Sequence, residues 1–565
     1  MAYITKKKNR EGKYYVYLVE GYRVGDKVRQ RTLKNYGSLE ELEKQEPGAY
    51  ERLRQEAKAG LLHQSEEKEL LVKLQLDRPI APIRQGYGWK LLDDIFEGLN
   101  LTKFLTNAQK QYKVDYDLAS ITKLLVYQRI LHPLSKSATI RSQTELYGQW
   151  HNTQNDMDRA LDRLNALSQS IQLHLHKEIT KQIGREAYLV FYDVTNYFIE
   201  TDLDDSDIED EAGNTLQVGL RKRGASKEYR RNPIVQMGLF IDSNGIPISY
   251  TLFPGNVTDV KTYLPAIQQV KEAFGLERII TVADKAMNSQ HNISETYQAG
   301  NGWLFSQKHR GAKGASKELQ AFILDPTGWQ FNSSKTFAKK STIRERVLST
   351  KEVVKEKVVV TWNQRYALRE KLRREGALEY IDNLSDYRLF RETTKKGGKK
   401  YLELSFVDKQ TGELVPYSPL VTVNQDKVAF DAQFDGINVL VTSEIEMSDE
   451  AIIEAYGQLY KIEDSFRITK TDFESRPMYV RITEHIEAHF LTCFIALVLQ
   501  RLLQFKTDYQ WSCRKLKIAL NSAQAHEIGQ GYWCVECNEE FKAITKCLNI
   551  KHEQLNVFGK GWFTT

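Results

Sequence analysis

The run AYLVFYDVTNYF, from Ala187 to Phe198, constrains this chain more than any other stretch. It is short, apolar and rich in β-formers, so it reads as a strand, yet it holds an acid, Asp193, in its middle. A carboxylate in such a strand costs several kcal/mol unless it is paired or bound to a metal. Whatever the chain folds into must bring Asp193 a partner from elsewhere.

The sequence around it supplies a pattern. Two more strands follow, IVQMGLFID and ISYTLF, joined by the turn Ser243-Asn244-Gly245. Next come the helix DVKTYLPAIQQVKEAFG, the strand RIITVAD ending at Asp284, a helix over about 288–299 and the strand GWLFSQK. The order is β-β-β-α-β-α-β. Residues 311–435 read as a separate β-rich insert, with VVKEKVVVTW and KKYLELSFVD as strands and ALREKLRREGALEYI as a charged helix. The strand INVLVTSE (437–444) returns to the apolar style, and Ser448 then caps a long helix holding YGQLYKIEDSFRITK, residues 456–470. HIEAHFLTCFIALVLQRLLQ is an apolar core helix. Upstream, residues 14–33 predict a hairpin around Gly25-Asp26. Residues 39–75 predict helix broken at Pro47-Gly48, and 89–185 are helical.

A chain of 565 residues needs two to four domains. Its start, MAYITKKKNREG, lacks a signal peptide's apolar core, no window approaches an uninterrupted apolar span, and its five cysteines make no disulfide framework. A cytoplasmic, membrane-free location is expected. The net charge of +6 is small, but the basic residues cluster: Lys6, Lys7, Lys8, Arg29 and Arg31 near the start, then LRKRGASKEYRR (220–231), REKLRRE (369–375) and KKGGKK (395–400). Separate basic patches suit a partner with many phosphates.

Tyr456, Glu463 and Lys470 recur about two helical turns apart, which puts them on one helix face. Singly, each acid has a plain reading: a structural hydrogen bond for Asp193, a cap for Asp284, a surface charge for Glu463. Together they are three carboxylates from separate elements, able to converge on hard divalent cations. Two such ions stabilise the attacking and leaving oxygens of a phosphoryl transfer.

This element order with these acids resembles the ribonuclease-H-like fold of bacterial insertion-sequence DDE transposases. The helix is similar to the Tyr–Arg–Glu–Lys signature, Y-x2-R-x3-E-x6-K, of one large group: Tyr456, Glu463 and Lys470 match, while Leu459 stands where arginine belongs and Arg467 is a substitute. YDVT around Asp193, GIP (245–247), PGNVTD (254–259), ADKAMNS (283–289), FDG (434–436) and SKEYR (226–230) also match. The resemblance implies a ribonuclease-H-like core in two parts, 186–310 and 436–510, split by a β-rich insertion domain at 311–435. A basic hairpin arm (1–60), a helical DNA-binding or dimer region (61–185) and a helical C-terminal region (511–565) complete it. It implies Asp193, Asp284 and Glu463 as catalytic ligands of two Mg²⁺ ions, with Mn²⁺ as a substitute. The implied partners are double-stranded transposon ends and target DNA in the nucleoid, and a second copy of the chain. Tyr456, Arg467, Lys470, Lys227, Arg230, Arg231, Lys285, Asn288, Lys308 and the N-terminal basic residues are the implied DNA contacts. Trp303, Trp329 and Trp362 are candidates to stack on a flipped base.

The activity implied is cut-and-paste transposition. The alternatives are a nuclease of the same fold that cuts without joining and a domesticated DNA-binding protein without catalysis. Cys534, Cys537, Cys547 and His552 lack a standard zinc spacing, and His485 and His489 read as core or DNA-proximal histidines.

Overall fold

The computed structural model describes residues 2–9, 12–24, 27–58, 84–185, 188–227, 230–310, 316–382, 401–405, 420–529, 532–550 and 557–558. The chain divides into a small unit, residues 1–80 with 528–530, and a large one holding the rest. In the small unit the expected hairpin is a three-stranded antiparallel sheet: β1 (Ala2–Lys8), β2 (Tyr14–Val24) and β3 (Lys27–Ser38), with β2 central. Two short helices, α1 (Leu39–Gln45) and α2 (Ala49–Lys58), are separated at Pro47-Gly48. Ile4, Val16, Leu18, Leu53 and Ala57 form the small core.

The large unit opens with six helices: α3 (Trp89–Gly98), α4 (Leu101–Gln111), α5 (Leu118–Leu131), α6 (Lys136–Arg141), α7 (Gln154–Ala166) and α8 (Ser168–Ile183). The core strands follow: β4 (Leu189–Phe198), β5 (Ile234–Ile241) and β6 (Pro247–Pro254). Then come α9 (Asp259–Phe274), β7 (Ile280–Ala283), α10 (Gln290–Gln298) and β8 (Gly302–Ser306). Strands β4, β7 and β8 are parallel, and β5 runs antiparallel to both β4 and β6. The order β6-β5-β4-β7-β8, with helices crossing between the parallel strands, is the ribonuclease-H-like arrangement. The turn between β5 and β6 works because Gly245 takes φ 79°, a left-handed conformation that suits glycine.

The 311–435 segment departs from a free-standing insert. Its two long strands, β9 (Phe337–Val347) and β10 (Val353–Asn363), lie in the core's own sheet, through β11 (Ile437–Thr442), which pairs with both β8 and β10. Gln330–Phe331 completes a nine-stranded sheet. The alternation in β10 explains this: Val358 and Val360 join the apolar cluster on one face, and Val359 joins the other. The charged helix is α11 (Gln364–Asp382), and 395–400 lies outside the described residues.

After β11 come α12 (Asp449–Gly457), α13 (Tyr460–Arg467), a π-helical turn (Ile468–Asp472) and α14 (Thr483–Lys506). Helix α14 is long and apolar enough to cross a bilayer, yet 94% of its apolar window is buried in the protein. It is apolar all round because α5 and α7 pack on one side and β6 on another. The helical region and one sheet face therefore share a single core, with Phe96, Leu124, Ile171, Phe191, Leu239 and Phe494 in one cluster. The C-terminal region is mixed rather than helical: Gln524–Gly529 and Tyr532–Glu536 are strands, flanked by helices Cys513–Ser522 and Glu539–Cys547.

One residue in the helical region opposes the fold. Among the described residues the Lys136 ammonium has no hydrogen-bond partner; it is buried near Arg129, and burial pushes it down to about 7. Its folded pKa lies below the unfolded value of about 10, so between those limits only the unfolded chain carries the proton and stability rises with pH. Lys136→Met is expected to raise stability at pH 7 by about 1–3 kcal/mol, the cost of an unsatisfied buried polar group. Denaturant unfolding from pH 7 to pH 10 should show the wild type gaining on the variant.

Candidate active site

The register of the parallel strands builds the site. Val282 of β7 lies beside Phe191 of β4, and Ala283 lies beside Phe305 of β8. Continuing both registers sets Asp193, Asp284 and Ser306 in a row across three neighbouring strands. Strand β7 stops at Ala283 while β4 runs on to Phe198, paired among the described strands with β5, so the site lies at the carboxyl ends of the parallel strands, where sheets of this kind hold ligands.

Both aspartates are held in the same way. Asp193 Oδ1 accepts the Val194 N–H at 2.8 Å, and Asp284 Oδ1 accepts the Lys285 N–H at 2.6 Å and the Ser306 hydroxyl at 3.2 Å. Among the described residues, neither Oδ2 accepts a hydrogen bond. Asp193 is the strained member. Desolvation pushes it up to about 6 and the charges of Asp259 and Asp284 add to this, while the Val194 N–H and Lys227 pull it down. Asp284 and Glu463 are exposed.

The expected long helix is broken. Around Gly457 the bonds tighten, with Leu459 N–H to the Tyr456 carbonyl at 3.0 Å and Lys461 N–H to Gln458 at 3.0 Å, so α12 and α13 are separate. Past Arg467 the helix widens into the π turn, closed by Phe473 N–H to the Ile468 carbonyl at 3.0 Å. Tyr456, Glu463 and Lys470 thus stand on three successive segments. Buried arginines grip these segments from behind. Arg501 of α14 donates to the Lys461 carbonyl at 3.1 Å, the Ser465 hydroxyl at 2.8 Å and Asp464 at 3.0 Å. Arg129 of α5 donates to the Phe473 carbonyl at 3.2 Å. Tyr456 senses the charges of Asp284, Glu463 and Asp193 together, and burial raises its hydroxyl to about 12. Lys470 donates to Thr195 Oγ1 at 2.6 Å beside the Tyr197 ring, and burial lowers it to about 8.

The donor set is carboxylate oxygen, the kind that Mg²⁺ and Mn²⁺ take. A divalent cation at Asp193 would relieve its desolvated charge. Among the described residues, no three His, Cys, Asp or Glu side chains close on one point tightly enough to enclose an ion. The site is an open row with Glu463 at its rim.

The other expected contacts divide. Lys227 joins the site, donating to the Val194 carbonyl at 2.7 Å and lying 3.7 Å from Asp259. Arg230 covers the Phe198 ring at 4.1 Å next to it, and Arg231, Lys285 and Lys308 are exposed. Asn288 is engaged inward, with the Ser306 carbonyl and Arg346. Arg467 is half exposed and paired with Asp464 and Asp472, while Leu459, at the arginine position of the signature, packs on the core. Trp303 is 1% exposed, with Nε1 bonded to Glu356 at 3.2 Å, so it offers no face to a base. Trp329 lies under Lys340 and Trp362 against Phe331. Lys6, Lys7 and Lys8 are exposed on β1; Arg29 and Arg31 lie on β3, with side chains outside the described residues. His489 is buried on the Ser475 carbonyl and His485 sits 3.2 Å from Asp162. Cys534, Cys537 and Cys547 are free thiols, and His552 lies outside the described residues.

Ser306, Asp259 and Arg501 were not singled out from the sequence. Ser306 carried a signal, since it ends a strand beside the one that ends at Asp284. Arg501 carried a weaker one, a cation inside an apolar helix.

Comparison with known proteins adds the family. Residues 202–499 match the transposase DDE domain model, which includes Asp284 and Glu463 and begins just after Asp193. Residues 2–69 match the N-terminal domain of IS1634 family transposases. No curated protein matches. Solved structures of the Mos1 transposase align weakly. A pre-cleavage Mos1 transpososome is 12% identical over 45% of this chain and 66% of that one, just under two thirds of its length, with a TM-score of 0.14. A Mos1 paired-end complex with Mn is 13% identical over 46% and 69%, also at 0.14. The fold assignment rests on strand order instead, and the family on the domain match, which covers more than half of the sequence: the chain belongs to the DDE transposases of insertion sequences, with an IS1634-type N-terminal domain.

Proposed function

We propose that this transposase cuts DNA at the inverted-repeat ends of its element and joins the freed 3′ ends to target DNA, working in the cytoplasm on nucleoid DNA as a homodimer that holds two ends. The observation that carries this is the row Asp193–Asp284 at the mouth of the parallel strands, with Glu463 brought towards it beside Tyr456.

Asp193, Asp284 and Glu463 would hold Mg²⁺, two ions in all, or Mn²⁺ in its place. When bound, these ions supply an activated water and neutralise charge on the phosphate. Cutting adds water across a P–O bond, leaving a 3′-hydroxyl and a 5′-phosphate. Joining exchanges one phosphodiester for another, as the 3′-hydroxyl adds to phosphorus and a 3′-oxygen of the second strand leaves. The protein's own part is to position and to neutralise. Lys470, fixed by Thr195 beside the Asp193 strand, and Lys227, fixed by the Val194 carbonyl, put two cations where a phosphate next to the scissile one would lie. Lys6, Lys7 and Lys8 are exposed along β1, and Arg29 and Arg31 in the sequence of β3 add to the positive charge of the small unit, which suits DNA backbone. A nuclease that cuts without joining is the second reading. It is tested with ends already nicked at the element boundary: joined product supports transposition, and none supports the nuclease. A DNA-binding protein without catalysis is disfavoured by the three acids.

Three outcomes are expected. Asp193→Ala, Asp284→Ala and Glu463→Ala should each abolish Mg²⁺-dependent cleavage while gel shifts on end DNA stay near wild type; a Glu463→Ala protein that cuts normally would remove it from the ligand set. Lys470→Ala should slow cleavage and joining by about 10- to 1000-fold, as for one lost electrostatic contact to the transition state, with Mn²⁺-induced thermal shift unchanged. The third concerns pH. The folded pKa of Asp193, about 6, lies above its unfolded value, so between the two only the folded chain carries the proton and metal-free stability falls as pH rises. Asp193→Asn should flatten that fall, seen in thermal melts in EDTA from pH 4 to pH 8.

A further inference from the structure

The helix carrying Glu463 lacks the continuity that would fix its direction. Because the chain tightens between Gly457 and Leu459, α13 is not a rigid extension of α12, and tertiary contacts must orient it. Lys461, at the second position of α13, supplies one. Its Nζ donates to the Ser243 carbonyl at 2.6 Å and to Gln458 Oε1 at 3.2 Å. Gln458 lies in the break itself, and Ser243 lies in the turn between β5 and β6. One ammonium thus ties together the break, the helix and the sheet.

The turn that receives it is firmly held. Asp242 Oδ1 accepts the N–H groups of Asn244 and Ile246, each at 2.9 Å, and the Gly245 N–H reaches the Asp242 carbonyl at 2.9 Å. Asp242 Oδ2 takes Arg185 Nε at 2.7 Å, and Arg185 Nη2 donates to the Pro247 carbonyl at 3.0 Å. Both side chains of that ion pair are buried. Either charge alone would be strongly unfavourable there, so the pair holds its geometry. The Tyr509 hydroxyl also donates to the Asn244 carbonyl. Gly245 leaves room for the lysine stem: a Cβ there would lie 3.3 Å from Lys461 Cδ, tighter than ordinary contact.

Residues two apart on a helix are separated by about 200°, so Lys461 and Glu463 leave α13 on opposite sides. Lys461 is half-buried and Glu463 is exposed. Ile462 and Phe466 of the same helix join the apolar cluster that holds Leu239 and Ile241 of β5. Nine residues beyond Lys461, Lys470 donates to Thr195 of β4 at 2.6 Å. The segment is therefore pinned at two places, past the end of β5 and on β4, with Glu463 between them. We propose that Lys461 is a positioning residue for Glu463: it anchors the back of α13 to the β5–β6 turn, which the buried Arg185–Asp242 pair holds, and so sets the direction in which Glu463 leaves the front. The inference rests on the reading of Glu463 as a metal-holding carboxylate, and it deepens that reading by naming what orients the ligand.

The test uses the full-length protein and two measurements that do not depend on turnover. One is Mn²⁺ binding without DNA, by calorimetry. The other is gel-shift affinity in EDTA for a duplex carrying the terminal repeat that borders the coding sequence. Lys461→Met keeps the stem and removes the donors. It should weaken Mn²⁺ binding by about 10- to 100-fold, the range for losing what orients a metal ligand, and no further than Glu463→Ala does. The double variant should bind like Glu463→Ala alone, because the lysine acts through the glutamate. Lys461→Arg should bind within about threefold of wild type, since guanidinium N–H groups also donate to a carbonyl. Duplex affinity in EDTA should stay within about twofold in each Lys461 variant, as no phosphate contact is removed. Three results would overturn the proposal: a Lys461→Met protein that melts lower yet binds Mn²⁺ normally, one that binds Mn²⁺ normally and the duplex weakly, or losses that multiply in the double variant. If Lys461→Met does not fold, Lys461→Gln, whose shorter side chain falls short of Ser243, takes its place with the same expectations. A Glu463→Ala protein that binds Mn²⁺ as the wild type does would bring down the metal-holding reading and the proposal with it. A weakened Glu463→Ala protein beside unchanged Lys461 variants removes the proposal alone.

Discussion

One desolvated carboxylate, Asp193, is the constraint that the residues of the candidate site answer to. Asp193 sits in β4, the strand with β5 on one side and β7 on the other, and its neighbours Tyr192 and Val194 are buried. A charge in that place is unfavourable, and the fold gives it only partial relief: one backbone N–H and the lysine at 227. Two more acids close by make matters worse. Protein interiors tolerate such a site when a ligand completes it. The sheet, the clamped helical segments and the surrounding lysines can all be understood as the frame that keeps this charge at the carboxyl ends of the parallel strands.

That frame is stiff where it counts. Arg501 and Arg129 reach from the buried helices α14 and α5 to backbone carbonyls of the segment carrying Glu463 and Lys470. Arg501 also satisfies Asp464 and Ser465, so the back of α13 is fixed by charge-assisted bonds while its front stays open to solvent. Such bonds to buried groups are strong because water does not compete for them. The π turn that follows α13 is a local widening of the helix, the type often found where a side chain must be redirected. Here it places Lys470 against Thr195 on β4.

Much of the core was legible in the sequence because its signals are local. Apolar strands bounded by turns predicted β4 to β8 in order, and Ser448 marked the start of α12 by its capping geometry. The two aspartates stood out because acids in or ending apolar strands are rare. The spacing of Tyr456, Glu463 and Lys470 was visible, but the two breaks between them were not, since a helix tightened at one end and widened at the other leaves no mark in residue period. The placement of β9 and β10 was also hidden. Alternation tells that they are strands, not which sheet they join, and that was decided by β11, far along the chain. Trp303 misled for a similar reason: an aromatic in a strand looks the same whether it faces a core or a groove. The basic start showed in composition, but a third strand, β1, was needed to turn the expected hairpin into a sheet.

The position of β11 has a consequence for how the molecule is made. The five strands of the ribonuclease-H-like sheet are all synthesised by Ser306, and both aspartates with them, Asp193 within β4 and Asp284 just past β7. The β9–β10 hairpin is made next, but its place in the sheet is beside β11, which follows only after α11 and the segments to Ala432. The chain bearing Glu463, and α14 beneath it, emerge later still. On the ribosome the nascent protein therefore passes through a stretch of about 180 residues, from Asp284 to Glu463, with two of the three acids made, a sheet edge exposed and the third absent. The three acids can meet only once the segment bearing Glu463 has been made, late in the synthesis of the chain.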